Sequence, residues 1–486
     1  MITWGISANS HNAALAVFNK DELVFASESE RFSRIKNDPD LSIELVEYAA
    51  ENFGGYPDNV YWYEKPFLKT IRQTLAGQGI QNNSPVTYLK QYGINSTVCT
   101  ISHHHSHAAA GYYTSQFNDA CVVVIDAIGE FNTLSIWQGT GTSLTKLYSM
   151  NYPDSVGIWY SAMTQRCGLK PNEEEYILMG MAALGNSNRL YRTLLDDFVN
   201  INGLTFNFKQ NLHRGCNDWR PDLTSQQDIY DIAAATQKIY ELLFELILIR
   251  SINLSNSRNL VLMGGCSLNC SANPLAYKYF DNLWIMPAPG DNGSAIGAVL
   301  ASKKQHIQYP GPFLGFDIGC QTPNEEIVKY LLEHKICGIA RGRAEFGPRA
   351  LGNRSLVADP RGIDIKEKVN AIKHRQQFRP FAPAILEELS NQYFDIPGGR
   401  SPYMQVVARC RTPELFPAIV HCDGTSRVQT CPDDGSPFRK LLELWYNETG
   451  CPMLLNTSLN IKGQPMVNNQ ADADKWTEAY GVQIFT

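Results

Sequence analysis

VVVIDAIGE, residues 122–130, joins a buried apolar strand to an acid and a glycine turn. The segments NTLSIWQG, residues 132–139, and TKLYSMNY, residues 145–152, follow it and predict further strands. The same order occurs at the beginning of the chain, where residues 2–29 predict strands with a polar turn at Asn9–Asn12 that suits phosphate. Two such meanders in one chain indicate an internal duplication.

Glycine turns recur after the meanders. A helical pattern covers Gln226–Asn253 and precedes NLVLMGGCSLN, residues 259–269, an apolar strand that enters a Gly-Gly turn. PAPGDNGSAIGAVLAS, residues 287–302, then opens a helix with a second glycine-rich turn. Duplicated meanders followed by such turns are typical of the actin-like nucleotide-binding architecture, in which phosphates lie between two related halves. We therefore predict an α/β fold with a duplicated, actin-like N-terminal domain.

The length of 486 residues favours two or three domains over one. KKQHIQYPGPFLG, residues 303–315, is rich in polar residues, proline and glycine, and it interrupts the periodicity on both sides. We place the domain boundary in this linker. The prediction is an N-terminal domain over residues 1–305 and a second domain over residues 306–486.

Composition and charge argue against several classes of protein. The net charge of -6 disfavours a broad polyanion-binding surface, although a local basic patch is compatible with it. The most apolar segment, Ile239–Ile252, is interrupted by Glu241, Glu245 and Arg250, which predicts a buried helix and no membrane role. The first residues lack a signal-peptide pattern, and the twelve cysteines, without a C-x-x-C pair, suit a reducing compartment. We expect a cytoplasmic protein.

SHHHSHAAAGYY, residues 102–113, predicts a metal site. His103 and His107 are at positions i and i+4, which places two imidazoles on one helix face. Asp291, in the glycine-rich turn of residues 287–302, is the best candidate for a third ligand. Two histidines and a carboxylate leave open positions for a substrate oxygen on Fe²⁺, Mn²⁺ or Zn²⁺. The alternative is a helix that begins with solvent-exposed histidines.

Two segments concentrate positive charge. In KHRQQFRPFAP, residues 373–383, Lys373 and Arg375 are two positions apart, so an extended backbone would aim both at one side, and the proline after Arg379 favours extension there. Bidentate guanidinium contacts could neutralise a compact phosphate or carboxylate-like ligand. The alternative is an exposed basic face or a nucleic-acid groove. RGRAEFGPRALGNRSLVADPR supplies further arginines around glycine turns: Arg341, Arg343, Arg349, Arg354 and Arg361.

Two polar clusters follow apolar strands near the end of the sequence. They lie in HCDGTSRVQT, residues 421–430, and in LLNTSLNIKGQP, residues 454–465. Arg427 and Ser458 belong to these clusters and could complete an anion pocket. By themselves, both segments are typical of ordinary turns.

These motifs occur in one order over nearly the whole chain, and together they resemble the NodU/CmcH/TobZ family of O-carbamoyltransferases. The arginine- and glycine-rich segment of residues 341–361 is the most specific of them because it is long and unusual, whereas GGCSLN alone would prove nothing. The resemblance rests on GISANSHNAALAV, HHHSHAAAGYY, EEEYILMGMAALG, GGCSLN, APGDNGSAIGA, RGRAEFGPRALGNRSLVADPR, FRPFAPAIL, HCDGTSRVQT and LLNTSLNIKGQP.

The resemblance implies a Kae1-like N-terminal domain of actin-type fold and a YrdC-like C-terminal domain of α+β type. In the YrdC-like site, carbamoyl phosphate and ATP, with Mg²⁺, would yield carbamoyl adenylate. In the Kae1-like site, a divalent metal would hold this intermediate while an acceptor hydroxyl attacks the carbonyl. Fe²⁺ is the expected metal, with Mn²⁺ or Zn²⁺ as alternatives.

The resemblance also assigns roles to individual residues. His103, His107 and Asp291 would be the metal ligands, and His11, in the first polar turn, would be either the general base or a phosphate contact. The other residues would bind carbamoyl phosphate, polyphosphate or nucleotide: Lys373 and Arg379, as catalytic residues, with Arg349, Arg354, Arg375, Arg427 and Ser458 in the YrdC-like half, and Asp126, Gly264, Gly265 and Asn269 in the Kae1-like half.

Two other functions stay open at this stage. One is threonylcarbamoyl transfer to tRNA adenosine, and the other is a non-catalytic, actin-like module that binds ATP. The fused domain order and the arginine- and glycine-rich segment favour O-carbamoyl transfer. The acceptor could be an aminoglycoside-like sugar, an antibiotic or toxin hydroxyl, or a hydroxymethylated pyrimidine nucleotide or DNA base. A homodimer and a nucleic-acid partner are neither predicted nor excluded.

Overall fold

The computed structural model describes residues 1–75, 77–362 and 364–486, which form two compact units. Unit 1 comprises residues 1–24 and 46–309, and unit 2 comprises residues 25–45 and 310–486. The division after residue 309 falls within the linker that the sequence predicts. The difference lies in residues 25–45, which the sequence assigns to the N-terminal domain and the structure to unit 2.

Strands and helices alternate from the first residues of the chain. Up to residue 309 the strands are β1 Ile2–Ser7, β2 Ala14–Asn19, β3 Glu22–Glu28, β4 Asn59–Trp62, β5 Thr97–Thr100, β6 Asp119–Gly129, β7 Asn132–Thr140, β8 Ser143–Asn151, β9 Val199–Asn202, β10 Thr205–Phe208, β11 Asn259–Met263 and β12 Asn282–Trp284. The helices are α1 Glu30–Ser33, α2 Ile43–Asn52, α3 Pro66–Leu75, α4 Pro85–Lys90, α5 His103–Thr114, α6 Val156–Arg166, α7 Glu175–Met181, α8 Ser187–Phe198, α9 Gln226–Leu254 and α10 Ser294–Lys303.

The two five-stranded sheets have the same arrangement. In one, the strand order is β3-β2-β1-β4-β5, with β1 antiparallel to β2 and parallel to β4. In the other, the order is β12-β11-β6-β7-β8, with β6 antiparallel to β7 and parallel to β11. Each sheet therefore combines an antiparallel meander with parallel strands, which need a crossover connection. The strands predicted around residues 122–130 and 2–29 form these two meanders.

Helix α5 begins shortly after β5 and carries the histidine run in its first turns. Ser102 is its N-cap residue. Helix α10 approaches α5 closely, since a Cβ at Gly297 would lie 1.8 Å from the carbonyl oxygen of Ser106. His103 and His107 are 2% and 0% exposed. The alternative of solvent-exposed histidines is therefore wrong.

Helix α9 agrees with its prediction, which ends one residue before the observed Leu254. It begins with a capping box, in which the side chains of Ser225 and Asp228 each accept a backbone N–H from the other residue. Within the described ranges, no helix combines the length and the apolar character needed to cross a bilayer.

Unit 2 is built on a mixed sheet of order β21-β17-β22-β16-β14-β23, whose core includes Ile339, Leu441, Trp445 and Leu454. Its strands after residue 309 are β13 Phe313–Asp317, β14 Ile336–Ala340, β15 Arg343–Glu345, β16 Arg354–Ala358, β17 Ala382–Leu386, β18 Phe394–Asp395, β19 Val407–Cys410, β20 Thr425–Arg427, β21 Gln429–Cys431, β22 Met453–Ser458 and β23 Ile484–Phe485. The helices are α11 Asn324–His334, α12 Ile365–Ile372, α13 Ser390–Tyr393, α14 Pro437–Thr449 and α15 Gln470–Tyr480.

Charged residues attach the early segment of residues 25–45 to the rest of unit 2. Oε1 of Glu28 accepts the backbone N–H of Gly347 at 2.7 Å, and Arg31 donates to the carbonyl oxygen of the same glycine at 2.9 Å. Arg34 forms an ion pair with Asp472 at 3.3 Å. These partners are hundreds of positions apart in the sequence, which is why the sequence alone did not predict this assignment.

Candidate active site

Four acidic and histidine side chains converge in the interior of unit 1. His103 and His107 come from successive turns of α5, Asp126 from β6, and Asp291 from a short 3₁₀ turn that follows β12. The two histidine Nε2 atoms are 3.1 Å apart. Oδ2 of Asp126 lies 3.1 Å from Nε2 of His103 and 3.5 Å from Nε2 of His107. Oδ1 of Asp291 lies 3.4 Å and 3.2 Å from the same two atoms.

The spacing of these donor atoms fits a metal ion. All four lie within 4.8 Å of one another. A metal–ligand distance of about 2.1 Å gives neighbouring ligand atoms roughly 3.0 Å apart in octahedral geometry and roughly 3.4 Å apart in tetrahedral geometry. The five distances above, 3.1–3.5 Å, lie close to these values. Two imidazoles and two carboxylates also form a donor set suited to Fe²⁺, Mn²⁺ or Zn²⁺.

Opposite charges stabilise one another within this buried cluster. Burial raises the pKa of Asp126, but hydrogen bonds with His103 and His107 outweigh it and hold the pKa well below the usual range. Burial also raises the pKa of Asp291, but the charge of His103 outweighs it, so the pKa of Asp291 lies below its usual value. Burial alone would lower the pKa of His103. The charge of Asp291 and hydrogen bonds with both carboxylates outweigh burial and hold this pKa well above its usual value. Both shifts favour the ionised carboxylates, which is the form that binds a divalent cation.

Asp126 is the member of the cluster whose role was not predicted. The family resemblance assigns it to nucleotide binding and not to the metal ligands. In the structure its Oδ2 joins the histidines, while its Oδ1 accepts the backbone N–H groups of Ala127 at 2.8 Å and Gly265 at 3.4 Å. The spacing of His103 and His107 is visible in the sequence, but nothing in the linear order shows that β6 ends beside α5.

The glycine turn after β11 lies next to Asp126. Gly264 has a φ of 89°, and a Cβ there would lie 2.2 Å from the carbonyl oxygen of Ile125. This close approach requires glycine. Asn269, which follows the turn, exchanges amide hydrogen bonds of 3.0 Å and 3.1 Å with Gln237. Gly264 and Gly265 thus lie beside the cluster, whereas the Asn269 side chain is bound within the protein.

His11 lies in the exposed turn after β1. Its Nε2 is 3.1 Å from the carbonyl oxygen of Asn172. A carbonyl oxygen only accepts hydrogen bonds, so Nε2 carries the proton and Nδ1 of the neutral ring is unprotonated.

A cationic cluster lies in unit 2 around the end of α12. Lys373 is 4% exposed, and its Nζ donates to the carbonyl oxygen of Ser458, to Oγ of Ser458 at 3.2 Å and to Oδ1 of Asn460 at 3.0 Å. Burial lowers the pKa of Lys373 well below its usual value, and the charges of Arg375 and Arg379 act in the same direction. Neutral oxygens thus surround a buried amine whose charged form is disfavoured by nearby positive charge, and an anionic ligand would relieve this.

The backbone of this cluster differs from the prediction. Lys373 has helical dihedral angles as the C-cap residue of α12, and His374 has a φ of 50°. The expectation of an extended segment is therefore wrong. Arg375 turns back to donate to the carbonyl oxygen of Pro380 at 3.0 Å, and its guanidinium lies 3.9 Å from the ring centroid of Phe381.

Both halves of the chain match one family. Residues 58–300 match the carbamoyltransferase N-terminus, and residues 328–486 match the carbamoyltransferase C-terminus. The chain belongs to the NodU/CmcH carbamoyltransferase family. Its enzyme class is therefore that of a transferase of carbamoyl groups, and the predicted O-carbamoyl transfer is confirmed for the family. This favours O-carbamoyl transfer over the tRNA-modifying and non-catalytic alternatives.

Several relatives of this carbamoyltransferase match over most of their length. An uncharacterized protein of Synechocystis sp. is 32% identical over 96% of this chain and 93% of its own. Nodulation protein NolNO of Sinorhizobium fredii is 29% identical over 95% and 76%. A 3'-hydroxymethylcephem-O-carbamoyltransferase of Amycolatopsis lactamdurans is 26% identical over 97% and 95%. Among solved structures, component A of (R)-2-hydroxyglutaryl-CoA dehydratase from Acidaminococcus fermentans covers 63% of this chain with a TM-score of 0.33, which assigns no fold.

The remaining arginines predicted to bind cofactor have different surroundings in this carbamoyltransferase. Arg349 is half-buried in the loop between β15 and β16. Arg427 is half-buried at the end of β20, and its buried Nε has no hydrogen-bond partner among the described residues. Arg354 is fully buried. Its guanidinium donates to the carbonyl oxygens of Phe316, Arg341, Gly342, Asn353 and Asn468.

Arg354→Lys tests whether this residue is structural. Lysine has a single nitrogen and cannot satisfy five carbonyl oxygens, so buried acceptors would lose their partners. We expect the free energy of unfolding to fall by about 3 kcal/mol or more. Denaturant titration measures this change. The exposed Arg409→Lys is the control and should change stability by less than about 0.5 kcal/mol. Equal stability of the two variants would contradict a structural role for Arg354.

Asp126→Asn tests the unpredicted member of the His/Asp cluster. The amide keeps the shape of the side chain but removes the charge and one acceptor oxygen. We expect metal affinity to fall by at least about 10-fold, measured by Mn²⁺ titration against a competing chelator. Asp119→Asn, at the exposed beginning of the same strand, should bind Mn²⁺ like the wild-type protein. Unchanged Mn²⁺ affinity in Asp126→Asn would rule out a ligand role.

Proposed function

We propose that this chain is an ATP-dependent O-carbamoyltransferase that works in two steps. In the first step, water releases carbamate and phosphate from carbamoyl phosphate. A carbamate oxygen then attacks the α-phosphorus of ATP, which forms carbamoyl adenylate and expels pyrophosphate. In the second step, an acceptor hydroxyl attacks the carbamoyl carbon, and the bond to AMP breaks. Adenylation is needed because carbamate is a poor electrophile, whereas AMP is a good leaving group.

The cationic cluster of unit 2 supports the first step. Carbamoyl phosphate and ATP are compact anions, and Lys373, Arg375 and Arg379 supply positive charges around one buried point. The hydroxyl of Ser458 donates to Oδ1 of Asn460 at 2.6 Å and accepts a hydrogen bond from Nζ of Lys373 at 3.2 Å, which fixes the position of the lysine. We assign adenylation to this cluster. The mixed sheet of unit 2 is compatible with a YrdC-like domain, which we propose it to be.

The His/Asp cluster of unit 1 supports the second step and is the observation that carries the proposal. A divalent cation held by His103, His107, Asp126 and Asp291 would polarise the carbamoyl carbonyl. We propose Fe²⁺, with Mn²⁺ or Zn²⁺ as alternatives that the same donors accept. The equal strand order of the two sheets supports a duplicated, actin-like unit 1. The glycine turn at Gly264 and Gly265 would hold nucleotide phosphate through its backbone.

His11 is proposed as the base of the second step. With Nε2–H bound to the carbonyl oxygen of Asn172, the neutral ring presents an unprotonated Nδ1. This atom can take the proton that the acceptor hydroxyl loses as its oxygen bonds to the carbamoyl carbon. The carbonyl oxygen of Asn172 therefore fixes the tautomer of the His11 ring.

The acceptor is proposed to be a hydroxyl of a small molecule or a hydroxymethyl pyrimidine. The name of the Amycolatopsis relative gives a hydroxymethyl acceptor for that protein. Incubation with ATP and [¹⁴C]carbamoyl phosphate against a panel of hydroxyl compounds tests the proposal. The label should appear in an O-carbamate ester. This transfer should require ATP and should be accompanied by release of pyrophosphate. Transfer without ATP, or transfer to nitrogen only, would contradict it.

A further inference from the structure

The turn between β6 and β7 contains an unusual residue. Gly129 pairs with Asn132, so Glu130 and Phe131 form a two-residue hairpin loop. Glu130 has a φ of 55°, in the left-handed region. Loops of this length place glycine, asparagine or aspartate at positions of positive φ, because a longer side chain is strained there. A glutamate in such a conformation points to a function for its side chain.

The carboxylate of Glu130 caps the helix that carries the histidines. It is 7% exposed, and its Oε1 accepts the backbone N–H of His103 at 3.3 Å. His103 is the first residue of α5, where backbone N–H groups have no partner within the helix. Ser102, the N-cap residue, makes no capping hydrogen bond with its side chain. Glu130 therefore takes the place of the usual cap, and its negative charge suits a helix N-terminus.

A second interaction attaches the same carboxylate to neighbouring strands. Oε1 of Glu130 also accepts the backbone N–H of Lys65 at 2.6 Å. Lys65 in turn donates through Nζ to the carbonyl oxygen of Thr100 and to its Oγ1 at 3.2 Å. Thr100 ends β5, immediately before α5. Glu130 is thus connected to the start of α5 both directly and through β5.

Gly129 contacts the imidazole of His103. A Cβ at this position would lie 2.2 Å from Cδ2 and 2.9 Å from Nε2 of that ring. The ring therefore packs directly on the backbone of the turn, which only glycine permits. Gly129 and Glu130 together fix both the ring and the backbone of one ligand, while Asp126 lies three residues before Gly129 on β6.

We propose that Glu130 is a positioning residue of the metal centre. It holds the first turn of α5 against the β6–β7 turn, so that Nε2 of His103 and His107 face the carboxylates of Asp126 and Asp291. This role rests on the metal site of the proposed function. It explains why a strained glutamate occupies a position where glycine or asparagine would fold more easily.

Glu130→Asp is the most informative variant. Aspartate tolerates a positive φ better than glutamate, so the turn should fold, but its shorter side chain cannot reach the N–H of His103. Titration of the metal-free full-length protein with Co²⁺, followed by visible absorption, measures affinity and ligand geometry together. We expect Kd to rise about 10- to 100-fold and the absorption bands to change. Glu130→Gln keeps an acceptor oxygen, so its Kd should stay within about fivefold of wild type.

Ser225→Ala is the matched control, because it removes a cap from α9 in the same unit. It should lower the thermal midpoint by about 2–4 °C and leave the Co²⁺ Kd unchanged. If Glu130→Asp behaves in the same way, the role of Glu130 is only structural and the proposal is overturned. His103→Ala separates this result from a failure of the metal site itself. Co²⁺ binding as tight as wild type in His103→Ala would contradict the site, and with it the proposed second step.

Discussion

Replacement of His103 or His107 by alanine is expected to remove the bound metal and to abolish carbamoyl transfer. Each imidazole supplies one of four donors that lie within 4.8 Å of one another. Loss of a direct ligand should cost more than the roughly 10- to 100-fold in metal affinity that loss of a supporting residue costs. Metal content is measured by elemental analysis of the purified protein. Transfer is measured as O-carbamate ester formed from labelled carbamoyl phosphate.

The first step should survive in both histidine variants, because the cationic cluster proposed for it lies in the other unit. Pyrophosphate release that depends on carbamoyl phosphate would therefore continue at a rate near wild type. His105→Ala is the control on the same helix, since its ring stacks on Trp137 at a centroid distance of 5.3 Å. Full metal occupancy in His103→Ala would refute the ligand assignment. Loss of both steps would refute the division between the two units.

Lys373→Ala is expected to block the first step while unit 1 stays folded and retains its metal. Removal of one charge-assisted contact to a compact anion typically costs about 1.5–3 kcal/mol, which corresponds to roughly 10-fold to more than 100-fold in binding or rate. Lys373→Arg should fail as well, because a planar guanidinium does not fit between Ser458 and Asn460 in place of a compact ammonium. Pyrophosphate–ATP isotope exchange in the presence of carbamoyl phosphate measures the step directly.

Lys368→Ala is the control for Lys373, since Lys368 lies on the same helix and its side chain is 60% exposed. Synthetic carbamoyl adenylate should restore product formation in Lys373→Ala but not in His103→Ala. Wild-type isotope exchange in Lys373→Ala would refute the assignment.

Because burial lowers the pKa of Lys373, its charge is lost at a lower pH than that of an ordinary lysine. Affinity for carbamoyl phosphate should therefore fall as pH rises and Lys373 loses its proton. A bound anion favours the charged amine, so the pKa of Lys373 should be higher in the complex than in the free protein.

The sequence predicts the elements around the His/Asp cluster better than their assembly. The i, i+4 spacing of His103 and His107 is a local property of a helix, and Asp291 follows a recognisable strand and glycine turn. The participation of Asp126 depends on which strands are neighbours, a property that no local pattern contains. The support that Glu130 gives is also invisible in the sequence, because a left-handed glutamate cannot be identified from residue type.

The arginines are difficult to interpret from sequence for a different reason. An arginine in a glycine-rich motif suggests a bound anion, but its guanidinium can instead donate to backbone carbonyl oxygens of the folded chain. Arg354 belongs to the most specific motif of the chain, and the family resemblance assigns it to binding of phosphate or nucleotide. Its donors instead face backbone carbonyl oxygens from several loops, which only the folded chain brings together. Lys373 and Arg375 are placed by a helix end and a turn and not by an extended strand.

The discontinuity of unit 2 has a consequence for biosynthesis. Residues 25–45 leave the ribosome early, but Gly347, the partner of Arg31, lies 316 residues later, and Met466, which accepts a hydrogen bond from Arg34, lies 432 residues later. At about 5–20 residues per second, the segment waits roughly 15–90 s for these partners. During this time the buried Arg31 and the half-buried Arg34 lack these hydrogen-bond partners. Slow translation should therefore prolong the interval in which chaperones or proteases can bind this segment.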